Sequence, residues 1–210
     1  MNKIHSICIL ALMLPLCAFA QYDGTPMNKT GDTKKAETAV RTDKYPHSDN
    51  DWENFDVLHI NRLPSAATFM AYTTKEKAVK NDKSQSEYFQ SLNGTWKFQF
   101  VPRSDQRPMD FFEKGHDVSG WGNIKVPANW EMEGYGHPFY VGAGYGIKRN
   151  PPLIAVENSP VGSYKRTFNV PANWKGKQIV LHFGGVASAF YVWVNGEKVG
   201  YSQDSKTPSE

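Results

Sequence analysis

The chain has 210 residues and nearly balanced charge, 24 Lys and Arg against 21 Asp and Glu. Those charges are dispersed, which excludes the basic field that recruits nucleic acid or an acidic membrane surface. The length suits one domain with a real core and excludes a domain joined to an enzyme barrel. Aromatic residues make up 13%, which fits either a β core or a surface on which sugars stack.

Residues 1–20 read as a secretory signal peptide. Lys3 is basic, Ile7 to Leu16 is apolar, and Ala18-Phe19-Ala20 is a small-residue cleavage site. The run is too short to remain as a membrane span, so export to a periplasm or to the outside is expected. A lipoprotein reading through Cys17 is disfavoured by the bulky Leu16 before it. Both cysteines, Cys8 and Cys17, fall in this segment, so the processed chain carries no disulfide and no thiolate metal site. Residues 21–50 are polar and aperiodic, the pattern of a flexible leader.

Residues 51–210 carry the pattern of one β domain. Trp52 is placed to anchor a short arm, and residues 65–86 read as irregular with one helical turn. Trp96, Phe98 and Phe100 alternate with Lys97 and Gln99, the signature of a half-buried strand. Asp110 to Lys114 reads as a helical turn, and Ile124 to Val126 as a brief strand stopped by Pro127. Asn129 to Ile147 is a long loop rich in Gly, Pro and aromatics (Tyr135, Phe139, Tyr140, Tyr145), expected to line something. His137 within it reads as a structural histidine bonded to backbone, with ligand or proton donor as the alternative. Glu131 and Glu133 read as solvated charges.

Further strands are expected from Gly162 to Val170 and from Gln178 to Phe183. The closing hairpin follows. Phe190, Val192 and Val194 point one way, and Tyr191 and Trp193 the other, so this strand is central. Asn195-Gly196 supplies a type I′ turn, and Glu197 to Tyr201 returns. Gln203-Asp204-Ser205 then places three polar groups at a strand end. Asp204 reads either as a chain-turning cap or as a binding residue. Short strands without a crossover helix specify an all-β, antiparallel β-sandwich.

Several of these segments together resemble glycoside hydrolase family 2 β-galactosidases. They are Asp51-Trp52-Glu53-Asn54, Asn61-Arg62, Ser91 to Phe98, Val126 to Trp130, Gly134-Tyr135, Pro138-Phe139-Tyr140, Asn150-Pro151-Pro152, Gly162-Ser163-Tyr164 and Tyr201 to Ser205. The order and spacing over residues 50–210 make the resemblance specific. β-Glucuronidases and β-mannosidases share the sandwich.

The resemblance implies a galactose-binding-like jelly-roll that precedes immunoglobulin-like and barrel domains. In that family two barrel glutamates, about 5–5.5 Å apart, hydrolyse terminal β-galactosides with retention. Neither glutamate has a counterpart here, so no catalytic residue is expected in this chain, and alone it should be inactive. Asp204 matches the aspartate that binds a galactose hydroxyl and a sodium ion. Gly142 stands where the family commonly has a substrate-touching asparagine. The cofactors implied for the full-length family are Na+ and Mg2+, none bound by this chain alone. Implied partners are a β-galactoside or oligosaccharide, the downstream hydrolase domains and a second copy in a homo-oligomer, with no nucleic acid and no membrane span. The sandwich is expected to lack its last strands and to carry an unpaired edge. Other readings are a free-standing carbohydrate-binding module that uses Tyr135, Tyr140 and Tyr145, and an adhesive or structural sandwich.

Overall fold

The computed structural model describes residues 4–12, 50–67, 69–138 and 150–210. Among them, the strands are β1 (Ile4–Leu12), β2 (His59–Ile60), β3 (Gly94–Val101), β4 (Gly122–Val126), β5 (Val161–Asn169), β6 (Ala189–Val194) and β7 (Glu197–Gln203). They form a single sheet in the order β2-β7-β6-β1-β5-β3-β4, with every pair antiparallel. The all-β antiparallel architecture read from the sequence is the observed one.

The sheet is buried on both faces. On the first, Ile7, Ile9, Trp96, Phe98, Ile124, Trp130, Phe190 and Val192 form one apolar cluster. On the second, Cys8, Val101, Phe111, Val161, Ala189, Tyr191 and Tyr201 form another, packed by Trp52, Phe112, Trp121 and Trp193. The alternation in β6 therefore resolves as expected, and β6 is central, between β7 and β1. Its turn is the expected one, with Asn195 at φ 55° and Gly196 at φ 94°. A bulge between Val192 and Trp193 shifts the register of the hairpin.

The second face is sealed by a charged side chain. Lys165 on β5 is nearly buried, and its Nζ donates to the carbonyls of Phe111, Glu113 and His116 at 3.2, 3.0 and 3.4 Å. Among the described residues its acceptors are these three carbonyls, one for each of its protons. The 110–116 segment it secures is a pair of hydrogen-bonded turns, Glu113 N to Asp110 O and His116 N to Glu113 O.

The arm before β3 holds β2, short 3-10 turns at Asp51–Glu53 and Lys83–Gln85, and α1 (Lys75–Lys80), which Thr74 caps from its side chain and Asn81 ends in the left-handed conformation. One expectation fails. Gln178 to Phe183 is no strand: its backbone makes one bridge, Phe183 with Ser209. Leu181 and Phe183 still pack on the first face, while Ile179 and Val180 are exposed. The apolar alternation is present, but a strand also needs a neighbour along its length, and here it meets one residue. At the N-terminus, Ile4–Leu12, which overlaps the apolar run from Ile7 to Leu16 in the expected signal peptide, is a nine-residue strand in the middle of the sheet.

Candidate functional site

Asp204 is the first residue beyond β7, at the point where the ladder with β6 stops. Two supports fix the backbone there. Asp204 N donates to Ser188 O at 2.9 Å, from the residue just before β6. Gln203 N donates to Leu58 O at 3.2 Å and Gln203 Nε2 to Val57 O at 2.8 Å, which ties the strand end to the N-terminal arm.

That arm is itself anchored. Asp51 Oδ2 accepts from Tyr191 Oη at 2.8 Å and from Lys198 Nζ at 3.0 Å. Trp52 meets Tyr191 edge-on at 5.9 Å between centroids, with the Arg107 guanidinium 5.0 Å above its ring. Farther along, Asn61 Nδ2 donates to Val199 O at 2.7 Å and Arg62 Nη1 to Ser202 Oγ at 3.0 Å. The anchoring role expected of Trp52 is thus observed, and the arm runs beside β7 to the candidate site.

Asp204 is exposed and takes φ 98°, a region L-residues rarely occupy. Such a conformation costs about 1–3 kcal/mol and persists only where the surroundings over-determine it. Its carboxylate accepts from Thr207 Oγ1 through Oδ2 at 2.9 Å. This single local contact makes Asp204 partly a turn-former, as one sequence reading held, without hiding it from solvent. A carboxylate is a hard oxygen donor and a strong acceptor, so it suits a sugar hydroxyl or a sodium ion. Among the described residues no group of three or more His, Cys, Asp or Glu could hold a metal.

Gly142, Tyr140 and Tyr145 lie outside the described residues. Tyr135 does not form a platform: it packs against Phe98 at 4.8 Å between centroids and belongs to the first core. His137 is exposed and, among the described residues, bonds to no backbone group, contrary to the structural role expected of it.

Glu131 is also misread by sequence. Glu133 is exposed, but Glu131 Oε1 is buried without a hydrogen-bond partner among the described residues. It follows the buried Trp130 in the same turn. It borders a cavity of about 1000 Å³ on the first face, whose lining includes Trp96, Trp130, Tyr164, Phe168 and Ile9. Burial, and then the Glu131 charge, push the Tyr164 phenol above its usual pKa. A second cavity of about 210 Å³ sits beneath the Asp51–Trp52 anchor, and Asp204 borders neither.

With this geometry in view, the comparison with known proteins is direct. The family model described as glycosyl hydrolases family 2, sugar binding domain, matches residues 89–210. The chain belongs to this family.

A β-galactosidase of Priestia megaterium is 42% identical over 188 residues, covering 88% of this chain and 18% of that protein. A β-galactosidase of Psychromonas ingrahamii is 39% identical over 160 residues, covering 76% and 15%, and one of Halalkalibacterium halodurans is 40% identical over 169, covering 78% and 16%. The chain thus spans less than a fifth of each relative. In this family 2 sugar-binding domain, the arm, the β6–β7 hairpin and Asp204 form one connected unit. Among the described residues no helix is long and apolar enough to cross a membrane.

Proposed function

We propose that this chain forms the wall of a galactosyl subsite in a retaining β-galactosidase, with Asp204 reaching the substrate. The observation that carries the reading is an exposed carboxylate held at φ 98° at a strand end that the arm and Ser188 both secure. Strain that the fold maintains at a polar, exposed residue is the usual mark of a functional position.

In this reading Asp204 accepts a hydrogen bond from a sugar hydroxyl and supplies one oxygen to a sodium ion. The catalytic glutamates, and any Mg2+ site, belong to other domains of the enzyme, which assembles as a homo-oligomer and acts on β-galactosides after export. Gly142 leaves out the amide that an asparagine would offer, weakening one substrate contact by roughly 0.5–1.5 kcal/mol.

The test is a chimera in which this chain replaces the aligned segment of the Priestia megaterium β-galactosidase. The chimera should hydrolyse a nitrophenyl β-galactoside, and Asp204→Ala should lower kcat/KM at least 100-fold and weaken the dependence on sodium. The isolated chain should show no hydrolysis. An Asp204→Ala chimera with unchanged kinetics would remove Asp204 from the subsite.

A further inference from the structure

β1 joins the two halves of the sheet. It pairs along its nine residues with β5, from Ile4 opposite Asn169 to Leu12 opposite Val161. On its other side Ile7 to Leu12 pair with Val194 to Ala189 of β6. Take β1 away, and β7-β6 with β2 on one side and β5-β3-β4 on the other share no ladder. Each would expose a central row of unpaired backbone groups, an edge that templates pairing with another strand.

The slot also has a chemical selectivity. Ile7 and Ile9, 0% and 8% exposed, enter the first cluster beside Phe190 and Val192. Cys8, 1% exposed, faces the second cluster, opposite Lys165 and Trp193 in register. Its Sγ lies 3.9 Å from Phe111 O, the same carbonyl that Lys165 holds. That turn covers Cys8 closely, so the slot requires a small residue flanked by two aliphatic ones. A charge at position 7 or 9 would be buried in an apolar cluster without a partner.

We propose that the gap between β5 and β6 is a strand-acceptor site, and that Ile4–Leu12 is its built-in but displaceable occupant. The ligand class is an uncharged extended peptide with the pattern aliphatic-small-aliphatic, bound antiparallel to both neighbours. Ala20 lies between Leu12 and Asn50. Cleavage there, the export reading of the sequence, severs β1 from the rest of the sheet and turns an internal strand into an exchangeable one. Folding with β1 in place would conversely withhold the apolar segment from export.

The test uses the full 210-residue chain with Cys17→Ser, under reducing conditions. In the folded chain, maleimide should label Cys8 at least 100-fold more slowly than in urea. Adding Ile7→Asp and Ile9→Asp should abolish that protection and red-shift the tryptophan emission. A synthetic peptide of residues 4–12 added in trans should restore the emission saturably; the peptide with Ile7→Asp and Ile9→Asp, or with Cys8→Phe, should not. Where the doubly substituted chain is insoluble, co-refolding with the native-sequence peptide should recover it, and the Asp-bearing peptide should fail. The proposal is overturned by unprotected Cys8 in the folded parent, by protection that survives the two Asp substitutions, or by failure of the native-sequence peptide to bind or rescue.

Discussion

Replacing Gly162 with alanine tests the packing of the first face. An added Cβ at this β5 position would lie 2.6 Å from Trp130 Cζ3 and 2.8 Å from Phe98 Cε2, where ordinary contact begins near 3.4 Å. Neither ring can simply step aside. Trp130 and Phe98 are 5% and 1% exposed, and Phe100 meets Trp130 edge-on at 5.6 Å between centroids. Moving Trp130 also moves its turn, which Tyr135 N holds through Trp130 O at 3.0 Å. Overpacking of this kind costs about 1–3 kcal/mol, and the deficit of about 0.8 Å against two rigid rings places this case near 2–3 kcal/mol. Urea unfolding followed by tryptophan fluorescence should show the midpoint falling with an unchanged slope. Gly120→Ala is the control, since nothing lies within 4 Å of its added Cβ, and it should change stability by less than about 0.5 kcal/mol. Equal effects of the two substitutions would refute the argument.

Two further outcomes follow from the packing and the backbone. Burial is the largest cause that pushes Tyr164, Tyr191 and Tyr201 above the usual phenol range, with the Asp51 bond next for Tyr191. Their folded-state pKa values are raised, so their contribution is complete below the unfolded value of about 10 and is lost as pH rises above it, by about 1.4 kcal/mol per pH unit for each. Absorbance near 295 nm should show Tyr164, Tyr191 and Tyr201 ionising only together with alkaline unfolding; ionisation of these three while the chain is still folded would contradict the assignment. Asp204→Gly should stabilise the isolated chain by about 1 kcal/mol through release of the φ 98° strain. The same substitution should lower kcat/KM of the chimera, and a thermal scan showing no gain would mean the conformation is unstrained.

What the sequence made legible is what local pattern controls. The β6–β7 hairpin follows from Asn195-Gly196 and from two apolar faces, and β3 from strict alternation at Trp96, Phe98 and Phe100. Gln178 to Phe183 shows the limit: alternation states which face is apolar, whereas strand formation depends on a partner that sequence pattern does not identify. Ile4–Leu12 shows another. Its apolar part, from Ile7 onward, fits an export signal and a buried strand equally well, because both require a run of apolar side chains. The buried Oε1 of Glu131 was illegible because a charged residue in a Gly- and Pro-rich loop carries no local sign of burial. Asp204 was found through the family likeness, and its positive φ, the physical sign of its special position, has no counterpart in composition.

The location of that residue follows from how the sheet is built. Both faces of β6 are occupied by core. A polar group can face solvent while keeping a fixed position only where the ladder has just ended. There the backbone is still held by β6 through Ser188 and by the arm through Val57 and Leu58. Asp204 is the first residue to meet both conditions. Its placement relies on two supports from distant parts of the chain, and one of them leads back along the arm to Asp51, Trp52 and Tyr191. The aromatic anchor beneath the second face and the exposed carboxylate at the strand end are therefore parts of one mechanical arrangement.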